Sequence, residues 1–147
     1  MIKINTSNFS IENEINNIKF KELKIGAIVS FVGYVRDFYD SKDDSIVSLN
    51  LEYYGGMTEK SLIKIELEAK KKWDLEDIVI IHRIGELRLY DQIVLVIVAS
   101  KHRKEAFNAC EYIINHLKIN APFWKKERSL NNYKWVEQNE KDTSKVM

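Results

Sequence analysis

The sequence predicts an α+β domain, because its strand-like segments are joined both directly and through helix-like segments. The chain has 147 residues with one proline and five glycines, and no Pro-rich or Gly/Ser-rich linker divides it. Hydrophobic residues make up 45% and charged residues 31% of the chain, which is typical of a globular protein and excludes wholesale disorder. We therefore expect a single domain over residues 1–137, followed by a polar tail over 138–147.

The first half of the chain is predicted to contain one helix and two strands. Ser10 is a typical N-cap residue and precedes isoleucines that are spaced to share one helix face. Residues 26–35 are rich in β-branched and aromatic side chains, as in a strand, and Gly33 marks a bulge or a close approach within it. Residues 46–54 alternate between apolar and polar side chains, which is typical of a half-buried strand.

The second half is predicted to contain two longer helices and two central strands. Thr58 is placed to cap a helix that runs to about Trp73 and has one apolar face. Apolar strands follow at 78–84 and 92–99, joined by a connection that contains a glycine. The second helix covers about 101–118 and also has an apolar stripe.

The remaining segments are predicted to be short or exposed. Residues 133–137 are expected to add a final strand, residues 37–45 to form an acidic exposed loop, and the tail to fray. The most apolar run, 93–99, is too short to cross a bilayer, and the N-terminal residues lack the apolar core of a signal peptide. The single cysteine, Cys110, cannot form an internal disulfide, so we expect a reducing, cytoplasmic setting.

Charge is balanced over the whole chain but not locally. The chain has 23 Lys and Arg against 22 Asp and Glu, a formal net charge of +1, which excludes a histone-like protein that binds by bulk charge. Within residues 101–128, however, three acidic residues stand against seven basic ones, a net charge of +4: Lys101, Arg103, Lys104, Lys118, Lys125, Lys126 and Arg128. This concentration predicts a site for an anionic ligand.

The predicted helix over 101–118 begins with cations, although the start of a helix favours anions. The helix follows Ser100, a good N-cap residue, and its first turn includes His102 and Arg103. Free backbone N–H groups together with an imidazole and a guanidinium would bind a phosphate or a carboxylate. The alternative is that these side chains simply point into water.

The segment after that helix combines aromatic and basic residues. Phe123 and Trp124 are large apolar anchors that can hold Lys125 and Lys126 away from bulk water, where the pKa of an ammonium group falls toward the range useful for acid–base catalysis. The alternative is a core-packing aromatic pair beside solvated lysines. Lys118 also has a purely structural interpretation, since a cation is favourable at a helix C-terminus.

Other reactive residue types favour structural interpretations. His82 lies within a predicted strand, His116 lies near a helix end, and Cys110 lies within an apolar helical stripe. The motifs GxGxxG, GxxxxGKS/T, HExxH and GxSxG are absent, which removes the common nucleotide-binding, zinc-protease and serine-hydrolase hypotheses. No set of metal ligands is visible, and we expect neither a metal nor a cofactor.

Six segments of the sequence occur in one order: FVGYVRDF at 31–38, LEYYGGMTEKSL at 51–62, IHRIGEL at 81–87, DQIVLVIVASKHRKEAF at 91–107, LKINAPFWKKE at 117–127 and KWVE at 134–137. Together they resemble the large, catalytic subunit of molybdopterin synthase. The resemblance covers about residues 26–137. It implies an α/β-hammerhead fold, in which helices flank a mixed, mostly antiparallel sheet.

The resemblance also implies a reaction and partners. Large subunits of that family form a homodimer, and each binds a small ubiquitin-like sulfur-carrier subunit, which gives a heterotetramer. The C-terminal Gly-Gly thiocarboxylate of the carrier enters a pocket of the large subunit and donates sulfur. Two transfers convert cyclic pyranopterin monophosphate (precursor Z) into the dithiolene of molybdopterin. Neither a nucleic acid nor a membrane is implied as a partner.

The family resemblance assigns the pocket residues, which largely coincide with the basic residues noted above. Lys118 and Lys125 are the expected catalytic residues, with Lys118 stabilising an oxyanion and Lys125 acting in acid–base chemistry or as an electrostatic clamp. His102 and Arg103 are expected to hold the phosphate or the pterin, so both ends of one helix would line one cationic cavity. The complete set of expected substrate-binding residues is Tyr34, Val35, Arg36, His102, Arg103, Lys118, Lys125, Lys126 and Glu127.

The chain departs from the family pattern at two places. Tyr34 stands where a lysine is common, and Gln138 and Asn139 stand where a basic residue often follows the WVE motif. Two alternative functions remain from the residues alone. One is a nucleic-acid module in which Phe123 and Trp124 stack on bases, and the other is an adaptor whose basic face docks an acidic partner.

Overall fold

The computed structural model describes residues 1–21, 24–36, 46–121, 123–129 and 133–135. The predicted loop at 37–45 and the tail after residue 137 lie outside the described residues. The helices and strands are, in chain order, β1 Ile2–Asn5, α1 Ile11–Lys21, β2 Ala27–Tyr34, β3 Ile46–Tyr53, α2 Met57–Lys72, β4 Asp77–Arg83, β5 Gly85–Arg88, β6 Gln92–Ser100, α3 Arg103–Asn120, β7 Phe123–Ser129 and β8 Tyr133–Trp135.

The first sheet has the strand order β1-β4-β6-β2. β1 pairs with β4 in parallel, whereas β6 pairs with both β4 and β2 in antiparallel fashion. The central strands are apolar along their length because both faces are covered. Ile78 and Ile80 pack with α2 and α3, and the alternate residues Val79 and Ile81 pack with α1. The sheet therefore has helices on both faces.

The second sheet has the strand order β5-β3-β7-β8, and all of its pairs are antiparallel. Leu49 and Leu51 of β3 form a buried cluster with Leu87 of β5 and Val35, which follows the end of β2. Ile93 of β6 packs against the same cluster. This small core joins the second sheet to one end of the first sheet. At that end, β2 finishes and β6 starts.

The α+β prediction and its mostly antiparallel sheet pattern are confirmed. The helix that begins after Ser10 is also confirmed, because the Asn13 backbone N–H donates a hydrogen bond of 3.2 Å to the Ser10 hydroxyl. Gly33 lies at the predicted irregularity, since the β2–β6 register shifts between Gly33 and Tyr34. A Cβ atom at Gly33 would lie 2.7 Å from Val94 Cγ1, so the close approach requires glycine there.

The predicted cap at Thr58 is wrong. The N-cap of α2 is Gly56, whose φ of 84° suits glycine, and the Glu59 carboxylate accepts a hydrogen bond from the Gly56 backbone N–H. Thr58 instead lies inside the first turn and is buried, and its hydroxyl accepts a hydrogen bond of 3.1 Å from the Tyr54 backbone N–H. Three strands were also not predicted: β1, β5 and β7.

No helix in the described ranges is both long enough and apolar enough to span a membrane.

Candidate active site

Arg36 is positioned by the backbone that follows β2. The Val35 N–H donates a hydrogen bond of 2.9 Å to the Asp91 carbonyl oxygen, and the Val35 carbonyl oxygen accepts one of 2.8 Å from the Tyr90 N–H. Val35 is 2% exposed, whereas Tyr34 and Arg36 on either side of it are exposed. Among the expected substrate-binding residues, Val35 therefore anchors the chain, and its two neighbours present their side chains to solvent.

Asp91 shapes the turn that holds Val35, and the sequence prediction did not single it out. Its carboxylate accepts a hydrogen bond of 2.8 Å from the Arg88 backbone N–H, and its own N–H donates one of 3.0 Å to the Arg88 carbonyl oxygen. Aspartate commonly bonds to nearby backbone in turns. An aspartate between two strand-like segments was therefore a usable signal for this turn.

Lys118 lies in the last turn of α3, at the same end of the first sheet as Arg36. Antiparallel pairing places Tyr34 opposite Gln92, at the start of β6. α3 leaves the other end of β6 and returns across the sheet, where Leu117 packs in the cluster that contains Val94 near the start of β6. Lys118 is exposed beside Leu117.

The β7 residues also approach the Arg36 end. In the register between β7 and β3, Lys125 pairs with Leu51, Lys126 with Asn50 and Glu127 with Leu49. Leu49 and Leu51 belong to the buried cluster that contains Val35. The backbone of the expected WKKE segment therefore lies close to the strand end that carries Arg36.

His102 and Arg103 lie at the opposite end of α3. His102 is the N-cap residue, with extended backbone and no side-chain cap hydrogen bond, and both residues are exposed. The sequence-based choice of Ser100 as the N-cap is wrong. Ser100 ends β6 fully buried, and its hydroxyl donates a hydrogen bond to the His102 carbonyl oxygen. The start of the helix therefore lacks a side-chain cap from its N-cap residue.

The two ends of α3 are far apart. Arg103 and Lys118 are fifteen positions apart in one helix, which corresponds to about 22 Å along its axis. The β2–β6 pairing gives a similar separation, because Tyr34 lies opposite Gln92 and Ala27 lies opposite Ser100 at the other end of β6. The basic site residues therefore form two groups at opposite ends of the molecule, one with Arg36 and Lys118 and the other with His102 and Arg103. A single compact pocket within one chain does not include both groups.

The histidines away from these groups have structural contacts. His82 is buried, its Nδ1 lies 2.8 Å from the Arg83 carbonyl oxygen, and its ring stacks on Phe123 with centroids 3.7 Å apart. His116 Nδ1 lies 2.9 Å from the Tyr112 carbonyl oxygen. Phe123 is therefore packed against a buried ring rather than presented as a surface for stacking bases, which counts against the nucleic-acid alternative.

Cys110 is a core residue. It is buried between α3 and the first sheet, and this burial raises the pKa of its thiol to about 11. A thiol with such a pKa stays protonated at neutral pH and is a poor nucleophile. Within the described part of the chain, no three His, Cys, Asp or Glu side chains are grouped as ligands for a metal ion.

Comparisons with known proteins identify the family. The family model described as MoaE protein matches residues 4–120. The molybdopterin synthase catalytic subunit of Ralstonia nicotianae is 47% identical over 136 residues, which cover 92% of this chain and 76% of that protein. The chain belongs to the MoaE family. The resemblance that the sequence motifs indicated is therefore confirmed.

Solved structures agree with the assignment to MoaE. The MoaE protein from Burkholderia ambifaria superposes with a TM-score of 0.83 at 38% identity, and the match covers 99% of this chain and 96% of that one. The molybdopterin synthase structure from Staphylococcus aureus gives a TM-score of 0.82 at 36% identity, covering 91% of this chain and 95% of that one. The MoaE fold thus extends over nearly the whole chain.

Proposed function

We propose that this chain is the catalytic subunit of molybdopterin synthase and transfers sulfur from a carrier thiocarboxylate to cyclic pyranopterin monophosphate. The observation that carries this proposal is the convergence of Arg36, Lys118 and the β7 segment at one end of a MoaE fold. The name of the Ralstonia relative, a catalytic subunit, supports a second subunit as a partner, and in this proposal that partner carries the sulfur. A cytoplasmic location is part of the proposal, supported by the buried, unpaired Cys110.

Electrostatics explains why such a reaction needs basic residues. The substrate phosphate and the incoming thiocarboxylate are both anions, and at 4 Å with an effective dielectric constant of 20 they repel each other by about 4 kcal/mol. Arg36 and Lys118 are exposed at the end of the molecule where β7 carries Lys125 and Lys126. Fixed positive charge at that place offsets the repulsion and orients the two reagents.

The expected roles follow the chemistry of sulfur transfer. The carrier sulfur bonds to a side-chain carbon of the pterin while the carbon–oxygen bond at that carbon breaks, and the departing oxygen takes up a proton. Water then adds to the carbonyl of the resulting thioester, and the carbonyl oxygen takes on negative charge. Lys118 stabilises that oxyanion as the carbon–sulfur bond to the carrier breaks. Lys125 exchanges the proton or acts as a second cationic clamp, and Lys126 and Glu127 continue the same strand. The products are a carrier carboxylate and a sulfur that stays on the pterin.

A second copy of the chain supplies His102 and Arg103 in this proposal. About 22 Å of helix separates Arg103 from Lys118 within one chain. A homodimer that places the α3 N-terminus of one copy beside the Lys118 end of the other would bring the two basic groups together. The uncapped helix start and the cations of its first turn then face the substrate phosphate.

Activity itself tests the function. The chain is incubated with thiocarboxylated carrier and precursor Z, and the pterin product is analysed by mass spectrometry. We expect sulfur incorporation that falls at least a hundredfold in Lys118→Ala. Lys64→Ala, which removes an exposed lysine from the outer face of α2, is the matched control and should retain full activity. Equal activity in the two variants contradicts the assigned site.

Mixing variants tests the contribution of the second copy. Arg103→Ala and Lys118→Ala are each expected to be nearly inactive. After subunit exchange, half of the dimers contain one copy of each variant, and one of their two pockets has both native residues. About a quarter of full activity should therefore return. No recovery, despite exchange shown by native mass spectrometry, contradicts the shared site.

A further inference from the structure

Tyr90 is an exposed aromatic residue that the reaction described above does not use. It lies in the turn between β5 and β6, beside Arg36, and its side chain is 76% exposed, the highest value among the large hydrophobic residues of the described chain. Its φ is 68°, and it is the sole residue other than glycine with a positive φ in the described ranges. This left-handed conformation is unfavourable for residues with a Cβ atom.

The hydrogen bonds of the turn do not require a tyrosine. The Tyr90 N–H donates to the Val35 carbonyl oxygen, and Asp91 closes the turn through its backbone and its carboxylate. All of these bonds use atoms that a glycine at position 90 would leave in place, without the unfavourable conformation. The fold therefore gives no reason for a side chain at this position, and a strained, exposed side chain beside a site points to a functional role.

Tyr90 and Tyr34 are two exposed tyrosines whose backbones lie close to that of Arg36. The hydrogen bond from Tyr90 to Val35 places the Tyr90 backbone next to that of Arg36. Tyr34, which is 52% exposed, lies on the outward side with Arg36, because Val35 between them points inward. Neither phenol ring contacts another aromatic ring among the residues that the structure describes.

We propose that Tyr90, together with Tyr34, binds the planar pterin ring of the substrate, while Arg36 binds its phosphate together with the α3 start of the second copy. This inference rests on the proposed function. A ligand that is both planar and anionic matches exposed aromatic faces beside a cation, since aromatic rings stack on heterocycles and a guanidinium pairs with phosphate. The Gly-Gly end of a carrier has no ring to stack. Tyr90 is then a binding residue that the motif series did not include.

The test compares Tyr90→Gly, Tyr90→Phe and a control, Phe107→Ala, which removes an exposed ring from the second turn of α3. The KM for precursor Z is measured at saturating carrier, and the apparent affinity for the carrier is measured separately. We expect Tyr90→Gly to raise the KM about tenfold, the lower part of the range for loss of one stacked ring, with little change in kcat. Tyr90→Phe and Phe107→Ala should stay within about twofold.

Stability gives a second readout. Because glycine adopts a positive φ without strain, the urea midpoint of Tyr90→Gly should equal or exceed that of the unsubstituted chain. A tenfold higher KM in a variant that is no less stable supports the proposal. An unchanged KM for precursor Z in an active Tyr90→Gly variant overturns the proposed role of Tyr90 but leaves the proposed function intact. A loss of carrier affinity with an unchanged KM for precursor Z has the same consequence. An unsubstituted chain that transfers no sulfur contradicts the proposed function itself.

Discussion

Replacing Gly26 with alanine should damage the start of α3, where His102 and Arg103 lie. The Gly26 N–H donates a hydrogen bond of 2.9 Å to the Ser100 carbonyl oxygen. A Cβ atom at Gly26 would lie 2.2 Å from the Lys101 carbonyl oxygen, whereas ordinary contact begins at 3.4 Å. The hydrogen bond and the clash both involve backbone atoms of the 100–101 segment, so no side-chain rotation relieves the clash. Either the segment before β2 or the turn into α3 must move.

The structure sets the size of the effect. Overpacking of this kind costs about 1–3 kcal/mol of unfolding free energy. This range already includes any weakening of the Gly26–Ser100 hydrogen bond. Alanine also reduces the conformational entropy of the unfolded chain, which returns about 0.4–1 kcal/mol. The net loss of unfolding free energy is therefore about 0–2.6 kcal/mol, or a fall in Tm of up to roughly 10 °C at about 2–4 °C per kcal/mol. Relative to Gly55→Ala, which has the same entropic gain without the clash, the loss is the full range of about 1–3 kcal/mol.

Urea unfolding and sulfur transfer together measure this prediction. Gly55→Ala is the matched control, because no atom lies within 4 Å of the Cβ position at Gly55 and its φ is not positive. We expect Gly55→Ala to be as stable as the unsubstituted chain or slightly more stable. Gly26→Ala should also lose activity, since a displacement of about 1 Å in a site costs up to a hundredfold in rate. Equal stability of the two alanine variants at one protein concentration would refute the reasoning.

Two further predictions concern residues away from the site. Ser10→Ala should lower the unfolding free energy by about 1 kcal/mol, because the Asn13 N–H loses its partner at 3.2 Å; an unchanged urea midpoint contradicts the capping role. Burial raises the pKa of the Cys110 thiol to about 11 from 9.0, so above pH 9 the unfolded chain releases this proton while the folded chain retains it. Stability should therefore fall from pH 9 to pH 11, and the slope should be smaller in Cys110→Ala; identical slopes would exclude this contribution.

The elements that the sequence predicted correctly are those with strong local signals. The central strands are continuous apolar runs, and α3 has the apolar spacing of a helix that packs on a sheet. β5 and β7 were missed because their own sequences do not favour strands. β7 contains four charged residues and becomes a strand by pairing with β3 and β8. β5 has only four residues, and its place beside β3 is fixed because Leu87 packs in the cluster with Leu49 and Leu51.

The positions of the basic residues required the three-dimensional structure. The sequence indicates that residues 101–128 are basic, but the direction of α3 decides which of these basic residues lie at the same end of the molecule. Because α3 returns across the sheet after β6, Lys118 lies at the Arg36 end and Arg103 lies at the other. Tyr90 could not be found from local pattern, since the value of its φ and its exposure are properties of the folded turn.

Division of the basic residues between two ends also fits the charge of the chain. A net charge of +1 leaves little general attraction for anions, so a cationic pocket must be built by concentrating a few side chains. In a dimer with twofold symmetry, a contact between one end of the first copy and the opposite end of the second is repeated with the roles exchanged. A single mode of association then builds two identical pockets. In the proposed dimer, the two basic groups come close together only at the pocket, where an anionic substrate offsets the repulsion between them.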